Sequence, residues 1–194
     1  MSTPLALPAP EYIPFGNVEA RNGIQASIEI PLLIRALRLY PTPRILEVGC
    51  GRGVALPVLA ARLGPHELVG IDIDPKLVAL ANERVRFERV DATILEADVR
   101  NLPFDAGTFD LVIDFGTCYH VSGGMDGARK ALKEIARVLS PRGLFVHETR
   151  IAQRLAHPIR SFGRKLPWND VSELVPERKA GLWGARRKMT GTLS

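Results

Sequence analysis

Glu47 and three alternating glycines, Gly49, Gly51 and Gly53, form the densest group of chemistry-bearing residues, directly behind the apolar run Arg44-Ile-Leu-Glu-Val. Glycine accepts positive φ and has no Cβ, so the chain can fold back tightly behind a strand and let a ligand touch its backbone. A dinucleotide-binding turn of this kind needs a further glycine three residues after Gly51, where a diphosphate meets a helix N-terminus, and Val54 stands there. Glu47 would repel phosphate and could hold an ammonium group. These residues point to a ligand with an adenosine-like body and a zwitterionic amino-acid tail, and away from a diphosphate.

The elements that must position this turn alternate along the chain. The apolar patterning predicts strands at 44–49, 67–72, 92–97, 109–115 and 143–148, with helices at 53–63, 75–86 and 126–139 between them. Such alternation predicts an α/β fold, a doubly wound, mostly parallel sheet with helices on both faces. Asp74 and Pro75 supply a helix N-cap and first residue, and Ser140-Pro141-Arg142-Gly143 supplies a stop and turn. Ile24 to Tyr40 has helical spacing, with Pro31 opening its second part. Residues 170–177 and 181–188 suit a closing hairpin around Lys179 to Gly181. Residues 1–23, rich in proline with Tyr12, Ile13 and Phe15 among them, read as an extended lid.

The ordered motifs Val69-Gly-Ile-Asp-Ile-Asp-Pro, Glu96-Ala-Asp-Val, Leu102-Pro-Phe-Asp-Ala-Gly-Thr-Phe-Asp-Leu-Val and Leu132-Lys-Glu-Ile-Ala-Arg-Val-Leu-Ser-Pro-Arg-Gly follow the glycine turn. With it they make residues 44–146 resemble the class I S-adenosylmethionine-dependent methyltransferases, a Rossmann-like family, and most closely its small-molecule and quinone or lipid branch. Where that branch ends its last motif Pro-Gly-Gly, this chain has Pro141-Arg142-Gly143. The resemblance implies an antiparallel C-terminal strand, S-adenosyl-L-methionine as cofactor and S-adenosyl-L-homocysteine as product. It implies a cofactor site of Glu47, Gly49, Gly51, Gly53, Asp72, Ile73, Asp98, Val99 and Asp114. Asp72, at a strand end, would accept the ribose hydroxyls, Asp98 the adenine amino group, and the Val99 amide would address a ring nitrogen. Phe109 and Asp110 are expected to anchor the fourth strand.

Methyl transfer is an in-line displacement in which placing the acceptor supplies most of the rate, but a neutral hydroxyl or ammonium must also lose a proton. Asp114-Phe-Gly-Thr-Cys-Tyr-His-Val and His147-Glu148 close two strands where acceptor-facing groups gather. His120 is the first candidate for a general base, and a packing role is the alternative. Asp114, Tyr119, His147 and Glu148 rank behind it. The Asn-Pro-Pro-Tyr type of signature for nucleobase amino methylation is missing from residues 114–117, as are the Pro-Cys of cytosine methylation and the double-glutamate loop of arginine methylation. A small-molecule acceptor, methylated at oxygen, is the resulting expectation. A quinone or lipid methyltransferase at the membrane surface and a non-catalytic cofactor-binding protein are the alternatives.

Its 194 residues, 46% of them apolar, suit a single domain. Its N-terminal lid and helices would span 1–40, the cofactor-binding core 41–149, and basic helices with the closing hairpin 150–194. Two cysteines, Cys50 and Cys118, are too few for a disulfide scaffold and lack metal-site spacing, so no metal is expected. Without a leader-like pattern or a long apolar run, the expected location is the cytoplasm. The net charge of +5 is lopsided: residues 150–194 hold 10 Lys and Arg against 3 Asp and Glu. Across 150–166 the apolar residues Ile151, Leu155, Ile159, Phe162 and Leu166 alternate with arginines, a pattern that suits either a docked helix with a solvated basic face or a peripheral membrane contact. Nucleic-acid binding is not expected, for want of interleaved aromatics. The oligomeric state stays open.

Overall fold

The computed structural model describes residues 18–149 and 171–189, so the expected lid up to residue 17 and the basic amphipathic stretch 150–166 lie outside the described residues. Five strands and three helices build the core: β1 (Arg44–Val48), α3 (Leu56–Leu63), β2 (Glu67–Asp72), α4 (Pro75–Phe87), β3 (Thr93–Glu96), β4 (Phe109–Asp114), α5 (Gly124–Val138) and β5 (Leu139–Glu148). A hairpin of β6 (Leu174–Ala180) and β7 (Trp183–Lys188) follows. The seven strands form one sheet in the order β3-β2-β1-β4-β5-β7-β6. β1 to β5 pair in parallel, and β7 inserts antiparallel between β5 and β6. The expected reversed strand is therefore β7.

Period-two alternation sends successive side chains of each strand to opposite faces. From β1, Ile45 joins one core with Leu33 and Leu37 of the N-terminal helix, Leu56 and Leu59 of α3 and Ala81 of α4. Leu46 and Val48 join the other core, beneath Ala131, Leu132 and Ile135 of α5. Each fully buried aliphatic side chain contributes about 1.5–3 kcal/mol, so these two layers hold the sheet rigid behind the loops at its carboxyl edge. Asp110 behaves as the expected anchor: it takes a bidentate pair from Arg44 (3.0 Å each) and the Ser140 hydroxyl (2.7 Å).

Four places differ from the sequence expectation by more than about two residues. The helix expected at 53 begins at Leu56, because Gly53 still has φ +69 and the turn needs three more residues. The Ser140–Gly143 stop does not separate α5 from the next strand. β5 already starts at Leu139, and the register jumps from Phe109↔Leu139 to Leu111↔Leu144, so the turn survives as a bulge with Arg142 at φ +67. The hairpin strands lie at 174–180 and 183–188, a few residues later than expected. The N-terminal helix starts earlier and has three parts, α1 (Val18–Ile24), a π turn (Gln25–Glu29) and α2 (Ile30–Ala36). Pro31 explains the middle part: it offers no N–H to the Ser27 carbonyl and its ring crowds that oxygen, so the preceding turn widens and Ile30 donates to Gln25 O instead.

Candidate functional site

The chain leaves β1 toward β2 and β3 on one side, then returns to place β4 and β5 on the other, so the sheet has its switch point between β1 and β4. Crevices at such points, outside the carboxyl ends of the strands, are where open α/β sheets bind ligands. Two loops flank this one, Gly49–Ala55 after β1 and Phe115–Gly123 after β4.

All three glycines of the first loop have positive φ, +65 at Gly49, +55 at Gly51 and +69 at Gly53. Their reasons differ. A Cβ on Gly49 would lie 1.9 Å from Thr117 Oγ1, which donates to the Val48 carbonyl (3.0 Å) and so stitches the two loops together. A Cβ on Gly53 would meet Ala81 of α4 at 3.1 Å. Around Gly51 there is open space, as a loop that a ligand approaches requires. The loop is further held by Cys50 N–H donating to Ile71 O (2.8 Å) and by Arg84 Nε donating to Arg52 O (3.0 Å). Cys50 itself packs against Gly70, and burial pushes its thiol up, out of reach of ionisation. Cys118 is likewise buried with its thiol raised.

Asp72 closes β2 and holds the loop from below. One carboxylate oxygen accepts Gly51 N–H (2.8 Å) and the other Asp74 N–H (3.0 Å), while burial raises its pKa against those bonds. Ile73 beside it is 61% exposed, an apolar surface at the crevice. Glu47, on β1, is only 3% exposed, and its Oε2 has no hydrogen-bond partner. Burial, and then the charge of Asp72, push its carboxyl up to about 8. A buried carboxyl oxygen with no partner costs free energy unless something else satisfies it, and an ammonium group would.

Asp98, after β3, is more committed than its sequence reading suggests. Its oxygens accept Arg100 Nε (2.9 and 3.0 Å), Arg100 Nη2 (2.6 Å) and Arg100 N–H (2.8 Å), which pull its pKa down. Arg100 Nη1 then reaches Ser122 Oγ (2.6 Å), so this clasp ties the β3 loop to the β4 loop. The Val99 side chain is buried in the α5-side core. Asp114 is 1% exposed and accepts the amides of Thr117 and Cys118, which makes it the cap of the short 3₁₀ turn Thr117–Tyr119. His120 ends that turn, half-buried, its N–H donating to Thr117 O (2.8 Å).

His147 is buried against Gly184, and desolvation lowers its pKa to about 4. The Glu148 carbonyl lies 2.8 Å from its Nδ1, and a carbonyl only accepts, so Nδ1 carries the proton. Glu47, Asp72, the glycine loop and the Thr117–His120 turn thus meet at one crevice. Thr117 and Arg100 are the residues that sequence reasoning missed. Arg100 carried a signal, since an Asp followed two residues later by a cation suits a side-chain-closed turn, whereas Thr117 carried none.

A methyltransferase-domain family matches residues 45–143, about half of the chain. The phthiotriol/phenolphthiotriol dimycocerosates methyltransferase of Mycobacterium tuberculosis is 34% identical over 104 residues, 53% of this chain and 36% of that protein. The demethylmenaquinone methyltransferase of Thermus thermophilus is 36% identical over 104 residues, 53% of this chain and 45% of that protein. The matched region thus spans under half the length of these relatives. A protein of Methanococcus maripaludis, provisionally described as an S-adenosyl-L-methionine-dependent methyltransferase, shares the fold with a TM-score of 0.68 at 15% identity, covering 91% of this chain and 94% of that one. Glycine loop, strand-end acid, switch-point crevice and family match agree, and the chain belongs to the class I, Rossmann-like S-adenosylmethionine-dependent methyltransferases.

Proposed function

We propose that the protein transfers a methyl group from S-adenosylmethionine to an oxygen of a small organic acceptor. The observation that carries the cofactor assignment is the buried Glu47 Oε2, which no described residue satisfies, on the strand that leads into the glycine loop with its open space at Gly51. Glu47 would face the ammonium group, Asp72 the ribose and Ile73 the adenine ring. When bound, the sulfonium supplies an activated methyl group. The protein's part is to hold the acceptor in line with it and to take up the hydroxyl proton, and His120, at the end of the turn that Thr117 ties to the glycine loop, is the residue assigned that step. In that step His120 would take the proton of the acceptor hydroxyl as its oxygen receives the methyl group from the sulfonium.

Calorimetry tests the cofactor. The protein is expected to bind S-adenosylmethionine and S-adenosylhomocysteine and not NAD; tight NAD binding with no response to S-adenosylhomocysteine would overturn the reading. Asp72→Ala, by removing acceptors of the ligand and of the Gly51 amide, is expected to weaken cofactor binding by about 1.5–3 kcal/mol. An unchanged dissociation constant in the folded variant would take Asp72 out of the site.

Formation of S-adenosylhomocysteine that depends on an added acceptor tests turnover, first on extracts and then on pure compounds. His120→Ala is expected to lower it roughly 100-fold with cofactor affinity nearly intact. Near-normal turnover in that variant would leave catalysis to placement alone. No acceptor-dependent product from any pool, with the cofactor bound, would favour a binding protein without turnover.

A quinone or lipid acceptor is the second reading. The two curated relatives named above carry quinone and lipid acceptors in their names, and the outer face of the N-terminal helix is apolar.

A further inference from the structure

The N-terminal helix, Val18 to Ala36, has two apolar faces, and the fold uses only one. Inward, Ile30 and Leu33 are buried against the sheet. Outward, Ile24, Ile28 and Leu32 are 48%, 53% and 46% exposed, and the exposed Ala20 and Ala36 continue the row at both ends. Every-fourth-residue rows drift around an α-helix, because four residues exceed the 3.6 of one turn. The π turn Gln25–Glu29, with more residues per turn than an α-helix, counters that drift between Ile24 and Ile28, and all three large side chains of the row are exposed.

The charges beside this row that have no ion pair among the described residues are both positive. Arg35 and Arg38 are exposed at its C-terminal end and form no ion pair among the described residues. The acid at the other end, Glu19, pairs with Arg52 (3.3 Å), and Glu29 pairs with Arg21 (2.8 Å). Three half-exposed aliphatic side chains offer only a few hundred Å², against the about 800 Å² per partner that a stable complex hides. Apolar residues in a row beside unpaired arginines suit a surface that is apolar below and anionic above.

We propose that the outer face of this helix is a peripheral contact with an anionic lipid bilayer, in which Ile24, Ile28 and Leu32 enter the headgroup boundary while Arg35 and Arg38 meet lipid phosphates. Among the described residues no helix is long and apolar enough to cross a membrane, and an interfacial contact needs none. The Glu19–Arg52 pair ties the first turn of the helix to the glycine loop, so docking brings the crevice close to the lipid boundary. The contact goes beyond the methyl-transfer reading and is measured apart from it.

Vesicle flotation of the whole protein tests it. Vesicles of equal phosphatidylcholine and phosphatidylglycerol are expected to bind the protein about tenfold better than phosphatidylcholine alone, and raised salt is expected to weaken the binding. The Ile28→Glu/Leu32→Glu variant is expected to lose about tenfold or more, and Arg35→Glu/Arg38→Glu several-fold together with most of the salt dependence. All four positions are exposed, and the milder Ile28→Ser/Leu32→Ser pair repeats the test should the glutamates disturb folding. Absence of vesicle binding overturns the proposal. So does binding that survives both substitution pairs, as contact through residues 150–166 would, or a dimer by light scattering that Ile28→Glu/Leu32→Glu dissolves. Cofactor calorimetry on the same proteins keeps the two readings apart: vesicle binding without affinity for S-adenosylmethionine would sink the methyl-transfer reading and leave the lipid contact standing.

Discussion

Gly49→Ala is expected to destabilise the protein by roughly 3 kcal/mol and to abolish measurable cofactor binding. Two costs add at this position. The backbone at φ +65 is disfavoured for any residue with a Cβ, by about 1–2 kcal/mol. The new methyl group would also lie 1.9 Å from Thr117 Oγ1 and 2.9 Å from its Cβ and Cγ2. Thr117 cannot swing aside without giving up its bond to Val48 O, and its backbone is fixed by Asp114 at the start of the 3₁₀ turn. Either the β1 loop or the β4 loop must move, and the crevice lies between them. Urea unfolding gives the stability, and calorimetry with S-adenosylhomocysteine gives the binding. The double variant Gly49→Ala/Thr117→Gly is expected to be less damaged than the sum of its parts, since the clash is gone and only the backbone cost remains. Strict additivity would show that the two loops are not in contact and would remove Thr117 as the reason for glycine. Gly51→Ala, with φ +55 but open space around it, is the control for backbone cost alone.

That contact marks the line between what the sequence carries openly and what it does not. The order of strands and helices was legible because each depends on a local period, and the switch-point crevice then follows from their alternation. Glu47, Asp72 and the glycine loop stood out in the sequence because they sit on or just after strands whose order the patterning gave, and the structure brings Asp72 and the loop together through the Gly51 amide. The meeting of Gly49 with Thr117, 68 residues apart, has no local signature: a threonine behind β4 looks like any turn residue until β1 and β4 pair. The same holds for the Arg100 clasp between Asp98 and Ser122. Asp114 reads as a site acid from its place after β4, yet its oxygens are spent on the amides of its own turn. Pro31 was read as the start of a second helical part, but its effect on the turn before it, which counters the drift between Ile24 and Ile28, depends on a backbone shape that hydrophobic spacing does not report.

Glu47→Gln is expected to make the ligand-free protein more stable at pH 8.5, by roughly 2–4 kcal/mol, and to change little at pH 4. Burial and the neighbouring Asp72 hold the Glu47 carboxyl up to about 8, whereas in the unfolded chain it titrates in the ordinary carboxylate range. Between those two values the folded protein keeps a proton that the unfolded chain has released. Stability from this group is therefore complete below the ordinary carboxylate range and drains away as pH rises toward 8. Glutamine has no proton to lose, so the variant lacks this slope. Asp72, whose pKa is also raised by burial, titrates in both proteins and largely cancels in the difference. Urea unfolding at pH 4, 6.5 and 8.5 measures the gap. Saturating S-adenosylmethionine is expected to reverse the order at high pH: an ammonium group beside an ionised Glu47 repays the desolvation, and the glutamine variant binds about tenfold or more weakly. Parallel pH profiles for the two proteins would show that Glu47 is not the titrating group. Equal cofactor affinities would show that its unsatisfied oxygen has some other use, and the assignment of the ammonium end of the site would fall with it.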